Sequence, residues 1–148
     1  MVFCSRDCTY RAPVAAEILK KCFEKNEELR NVEIDARGMV VMFPEPVNGK
    51  AVAIGKSKGY DLTGYSAVAI EKQDFSIENL VLVMTEMDKK KVYDSYENAI
   101  NVYTIKEFTG AAGDIDIPFG RSLADYGENF NILEDLIKQV AEKIKELA

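Results

Sequence analysis

Histidine is absent from all 148 residues. That removes the commonest general base, the commonest metal ligand and every Ser-His or Cys-His dyad. No metal or cofactor is expected. Cysteine is scarce: Cys4, Cys8 and Cys22 are odd in number and make no disulfide framework in a chain that reads as intracellular. No apolar run approaches the ~20 residues needed to span a bilayer. The first residues lack the basic start of a secretion signal, and Arg6 and Asp7 interrupt them. A cytoplasmic location is the default expectation. Basic clusters are lacking too. The net charge is −6, and Lys89-Lys90-Lys91 reads as a solvated helix face. Neither nucleic acid nor a membrane is an expected partner.

What remains is ordinary globular material, 47% apolar and 30% charged. The length predicts a single domain over residues 1–148. A short apolar strand opens the chain and ends at Cys4. Val14, Ile18 and Cys22 share one face of a helix predicted over 13–28, which makes Cys22 a core residue. Val32 to Asp35 alternates as a strand does, and Gly38 closes it. An apolar run over 39–43 ends at Pro44 and reads as a loop reaching toward the N-terminal turn. Asn48 is a candidate N-cap for a helix ending at Gly59. Leu80 to Met84 is a continuous β-type run, as in a strand covered on both faces. A helix over 86–97, a strand over 101–104 and a last helix from about Ser122 complete the pattern. Ile132, Leu133, Leu136, Ile137, Val140, Ile144 and Leu147 mark the stripe of that last helix. The alternation β-α-β-α-β-α-β-α predicts an α/β fold, a small doubly wound parallel sheet with helices on both faces. Ligands of such sheets sit beyond the carboxyl ends of the strands.

At that edge lies Ser5-Arg6-Asp7-Cys8-Thr9-Tyr10-Arg11-Ala12-Pro13. It reads as a strand end, a tight loop and a helix opening at Pro13, where a missing N–H costs nothing. A strand-loop-helix junction aims backbone N–H groups and the positive end of a helix at one spot, where an anion is held. Arg11 supplies a planar fork for two phosphate oxygens.

This stretch resembles the phosphate loop of the low-molecular-weight protein tyrosine phosphatases: a nucleophilic Cys, five residues, Arg, Ser and Pro near the N-terminus. The resemblance extends to Asp61-Leu62-Thr63-Gly64-Tyr65, to the strand near 80–84, to Ile117-Pro118-Phe119-Gly120 and to the closing helix. It implies a four-stranded parallel sheet flanked by helices. It also implies a phosphate cradle built by Ser5, Arg6, Asp7, Cys8, Thr9, Tyr10 and Arg11. The implied partner is a phosphorylated protein, carrying phosphotyrosine or phosphoarginine, or a small phosphomonoester. The oligomeric state is open.

Residue by residue, Arg11 matches the family's Arg and Pro13 its Pro, while Ser5 occupies the place of the nucleophilic Cys. Asp7 and Cys8 replace a Gly and an Asn that shape the loop. Tyr10 replaces a second Cys, and Ala12 the Ser that would bond the thiolate. Ile117 stands where the family's acid, an Asp before Pro-aromatic, protonates the leaving group. Asp116, one residue earlier, is the nearest substitute. The expected catalytic set is therefore Ser5, Arg11 and Asp116. An alcohol is several pKa units less acidic than a thiol, at ~1.4 kcal/mol per unit, so little alkoxide forms near pH 7. Three accounts of Ser5 stay open. It is an exchange made to trap substrate, a natural variant that binds phosphate with weak or lost chemistry, or part of a rearranged loop with Cys4 or Cys8 as nucleophile. Tyr10 and Tyr65 are candidates for an aromatic slot, with packing as their plainer role, and Tyr126 reads as packing helix against loop. The alternative to a phosphatase is a non-catalytic phosphate-binding module, a pseudophosphatase. Arsenate reductase chemistry lacks the later cysteine pair it needs.

Overall fold

The computed structural model describes residues 1–118 and 122–147. β1 (Val2–Ser5), β2 (Asp35–Gly38), β3 (Val81–Val83) and β4 (Val102–Thr104) form one parallel sheet in the order β2-β1-β3-β4. The helices are α1 (Arg11–Phe23), α2 (Gly49–Ser57), α3 (Glu86–Ser95), the single turn α4 (Ile105–Phe108) and α5 (Leu123–Leu147). This is the expected α/β layering. Alternation along β1 sends Phe3 to one face and Val2 and Cys4 to the other. Phe3 and Leu82 join the larger core, built with α1, α2 and α5 through Ile18, Leu19, Ala51, Phe130, Leu133 and Ile137. Val2, Cys4, Val81, Val83 and Val102 join a smaller one, with Val92 of α3, Ile70 and Phe75.

Several boundaries differ from expectation. α1 stops at Phe23 rather than near 28, because Asn26 turns the chain. Its Oδ1 accepts from the amides of Glu28 and Leu29, the local bond that pulls Asn out of helices. Pro13 is the third helical residue, still within the turn whose amides need no intrahelical acceptor; the first such bond runs from Val14 N to Tyr10 O. β2 lies three residues later than the alternating 32–35 stretch, and the exposed Val32 is outside it. An edge strand covered on one flank needs no strong apolar pattern, so Asp35-Ala36-Arg37-Gly38 carried little signal. α4 went unforeseen although its cap was in the sequence. Thr104 Oγ1 accepts from Glu107 N at 3.0 Å, and Glu107 Oε1 accepts from Thr104 N at 2.9 Å.

Gly38 ends β2 against the loop that follows β1. A Cβ there would stand 2.6 Å from Val41 Cγ2 and 2.9 Å from the backbone carbon of Asp7. Only glycine lets the two segments approach so closely. Gly38→Ala is therefore expected to cost about 1–3 kcal/mol through forced backbone movement. A lowered urea midpoint measures this, and an unchanged midpoint would show slack in the corner.

Candidate active site

β1 delivers the chain to the C-terminal edge of the sheet, and residues 6–10 carry it into α1. Neighbours on both sides fix this loop. Met39 N donates to Ser5 O at 3.0 Å and Val40 N to Arg6 O at 2.8 Å, so the 39–43 run does reach it. From the start of α2, Asn48 N donates to Thr9 O at 2.8 Å. Within the loop, Cys8 N donates to Ser5 Oγ at 3.2 Å, while Thr9 donates to Asp7 Oδ1 from both N and Oγ1. Cys8 holds φ at +62°, the left-handed region that favours Gly and Asn. Among the described residues, the amides of Arg6, Asp7, Tyr10, Arg11 and Ala12 have no hydrogen-bond partner. So many unspent donors on one short turn are what an oxyanion would satisfy.

Arg11 opens α1 and is half-buried. Its Nη1 donates to Ile115 O at 2.7 Å. Burial pulls its pKa down, and Asp88, Asp7 and Asp116 pull it back up. A guanidinium stays charged regardless, so it is a partly desolvated cation suited to an anion. A cavity of about 220 Å³ is lined by Asp7, Thr9, Tyr10, Arg11, Asn48, Ile117, Pro118 and Tyr126. Tyr10 OH donates to Asn129 Oδ1 at 2.8 Å, and Asn129 Nδ2 donates to Asp116 O at 2.9 Å. Tyr126 meets the Tyr10 ring edge-on and accepts from Asn48 Nδ2. α5 thereby braces both the loop and the segment that carries Ile117.

The expected residues separate into two groups. Arg11, Asp7, Thr9 and Tyr10 line the cavity; Arg6 is exposed beside them. Ser5 is 1% exposed, beneath the loop. Asp116 lines a neighbouring cavity of about 410 Å³, with Lys106, Asp114 and Glu128. Its charge still acts on Arg11. Ile117 lines both cavities and is exposed. Phe119 and Gly120 of the 117–120 motif lie outside the described residues. Tyr65 OH donates to Glu17 Oε2, away from this cavity. Cys4 is fully buried, and burial followed by the charge of Asp88 pushes its thiol far up. Cys8 packs into the larger core; burial pushes its thiol up and the Val68 backbone pulls it partly back. Among the described residues no cluster of three metal-ligating side chains occurs, and no helix is long and apolar enough to cross a membrane.

Comparison with known proteins shows the family. The family model for low molecular weight phosphotyrosine protein phosphatases matches residues 1–148. The chain belongs to that family. The protein-arginine-phosphatase of Geobacillus stearothermophilus is 30% identical over 139 residues, 93% of this chain and 90% of its own length. The PtpB tyrosine phosphatase of Staphylococcus epidermidis is 25% identical over 140 residues, 95% of each chain. Among solved structures, a cysteine-to-serine mutant of the YwlE arginine phosphatase with a phosphorylated active site serine superposes with a TM-score of 0.87. It is 28% identical and covers 97% of this chain and 94% of its own. The T. tengcongensis family member gives a TM-score of 0.86 at 28% identity, covering 96% and 97%.

Asn129 was not foreseen. Its one sequence signal is its place one helical turn after Tyr126, on the same face of α5. The burial of the thiols has a direct consequence. In the native protein iodoacetamide is expected to modify half-buried Cys22 first, and Cys4 and Cys8 only after urea. Rapid labelling of Cys8 would show a thiol open to the cavity.

Proposed function

We propose that the 5–11 loop is the phosphate cradle of this family member, working within one domain over residues 1–148. It binds the phosphoryl group of a phosphorylated protein or small phosphomonoester. The observation that carries this is the run of unspent loop amides beside a partly buried Arg11. Those amides and the guanidinium receive the phosphate oxygens, and Ile115 O holds the guanidinium at the cavity wall. Stabilisation of a phosphoryl group by placed donors needs little covalent machinery.

Ser5 has the nucleophile's place in this reading. Attack by its Oγ forms a P–O bond to the serine and breaks the bond to the leaving group, which takes up the serine proton. Asp116 is the carboxylate proposed to pass that proton. The phosphoserine so formed is an ordinary ester whose alkoxide leaves far less readily than a thiolate, and Asp116, lining the neighbouring cavity, is poorly placed to activate water against it. Turnover is then slow or absent. The related arginine phosphatase with serine in its active site carries that serine phosphorylated, which favours transfer to Ser5 over a wholly inert site. Phosphoarginine is the preferred donor, given the arginine phosphatases among the relatives, with phosphotyrosine second. The second reading, a binding module without chemistry, is favoured by Ile117 at the acid's position and by Ser5 lying under the loop.

Two measurements test this. Calorimetric titration with inorganic phosphate is expected to show binding that Arg11→Ala weakens about a hundredfold, as for loss of a principal oxyanion donor. Equal binding by both proteins would remove Arg11 from the site. Intact mass after incubation with phosphoarginine or para-nitrophenyl phosphate is expected to show one added phosphoryl group, mapping to Ser5. Ser5→Cys is expected to raise turnover at least ~100-fold. No adduct, and no gain in Ser5→Cys, would leave only the binding module.

A further inference from the structure

β1 and β3 pair in register, with Cys4 opposite Val83. The chain leaving β3 therefore turns into α3 beside the place where Ser5 leaves β1. Thr85 caps α3, and its Oγ1 accepts from Asp88 N at 3.0 Å. Asp114 Oδ1 accepts from Glu86 N at 2.8 Å, and Ile115 N donates to Met84 O at 2.9 Å. The same Ile115 carbonyl holds Arg11, so the start of α3, the 114–116 segment and the phosphate loop form one knot.

Inside that knot lies Asp88, 9% exposed. Among the described residues its Oδ2 is the one buried side-chain oxygen or nitrogen without a hydrogen-bond partner. An unpaired buried carboxylate opposes folding, so its presence calls for a reason beyond stability. Two groups, Arg11 of the site and Cys4 just before it on β1, feel its charge. Of the charges acting on the Arg11 guanidinium it ranks first, ahead of Asp7, Asp116 and Tyr10. Of those acting on the Cys4 thiol it again ranks first, ahead of Cys8, Asp74 and Arg37. Asp88 forms no ion pair among the described residues, and Arg11 Nη1 is already engaged by Ile115 O. It acts through its field rather than through a bond. Asp7 and Asp116 are exposed and screened by solvent; Asp88 is not.

We propose that Asp88 is a counter-anion built under the phosphate cradle, offsetting Arg11 when the cradle is empty and opposing any anion that enters or forms there. This rests on the cradle being a phosphate site. Its physical content is a sign. Removing the charge tightens anion binding and eases ionisation of whatever nucleophile stands at position 5. A purely structural Asp88 would do neither. A dianion is opposed more than a monoanion, so the residue tunes the cradle toward ligands of lower charge.

Asp88→Asn keeps the shape and removes the charge. It is made in the wild-type chain and in the Ser5→Cys background, with thermal melting to confirm that both fold. Calorimetry with inorganic phosphate at fixed pH and salt is expected to give roughly tenfold tighter binding in Asp88→Asn, the size of a buried charge acting at an effective dielectric near 20. In the Ser5→Cys background, the pH dependence of the ultraviolet thiolate absorbance, taken as the difference from the parent chain, is expected to move down by about one pH unit when Asp88→Asn is added. Folded variants with unchanged phosphate affinity and an unchanged thiolate titration would overturn the proposal. If neither protein binds phosphate, the cradle reading fails by itself, and the titration shift still decides whether the field of Asp88 reaches position 5.

Discussion

The corner between β1 and α1 is the constraint on which the rest of the molecule is arranged. Five residues must turn the chain from a buried strand into a helix while leaving most of their amides unpaired. A loop like that is costly to hold open, since unpaired backbone donors stay favourable only in contact with water or an anion. Its neighbours therefore hold it from outside. The 39–40 backbone, Asn48 at the start of α2, and Tyr126 and Asn129 of α5 all bond or pack against it. Gly38 allows the closest of these approaches. The parallel sheet makes the arrangement possible, because it brings the starts of α1 and α3 to one edge.

Within that frame the chemistry has shifted from the pattern the family loop implies. Arg11 and the loop backbone are in place. In the proposed roles, the nucleophile's place holds a hydroxyl, the acid's place an apolar Ile117, and the backbone carbonyl of the alternative, Asp116, accepts from Asn129 Nδ2. On the proposed reading, each change weakens catalysis and leaves the cradle's binding groups in place. The counter-anion role proposed for the buried Asp88 acts in the same direction, since it would discourage negative charge at position 5.

What could be read in the sequence was what is local or strongly periodic. The apolar run at 80–84 announced β3, and Leu133, Ile137 and Val140 announced α5, because burial leaves its period in the residues; Ile132 and Leu147, read as part of the same stripe, are exposed. The strand-loop-helix junction and Arg11 were legible because the whole loop is contiguous. β2 was misplaced because an edge strand of Asp, Ala, Arg and Gly has no apolar alternation to show. The carbonyl of Ile115, the amide of Asn129 and the carboxylate of Asp88 were not legible as parts of the site. The first two bond Arg11 and Tyr10 from the second half of the chain, the third is proposed to act through its field, and no spacing in sequence encodes that. Asp88 is the plainest case: at the third position of a helix it looks like an ordinary favourable first-turn acid, and only its burial shows otherwise.

The central claim is that the loop amides and Arg11 together form the anion's seat. Backbone and guanidinium amide shifts of isotope-labelled protein, followed during titration with inorganic phosphate, test it most directly. The account predicts saturable shifts concentrated at residues 6–12 and at the Arg11 side chain, with smaller ones at Asn48 and Ile115. Shifts scattered over the surface lysines, or none in the loop at saturating phosphate, would contradict it.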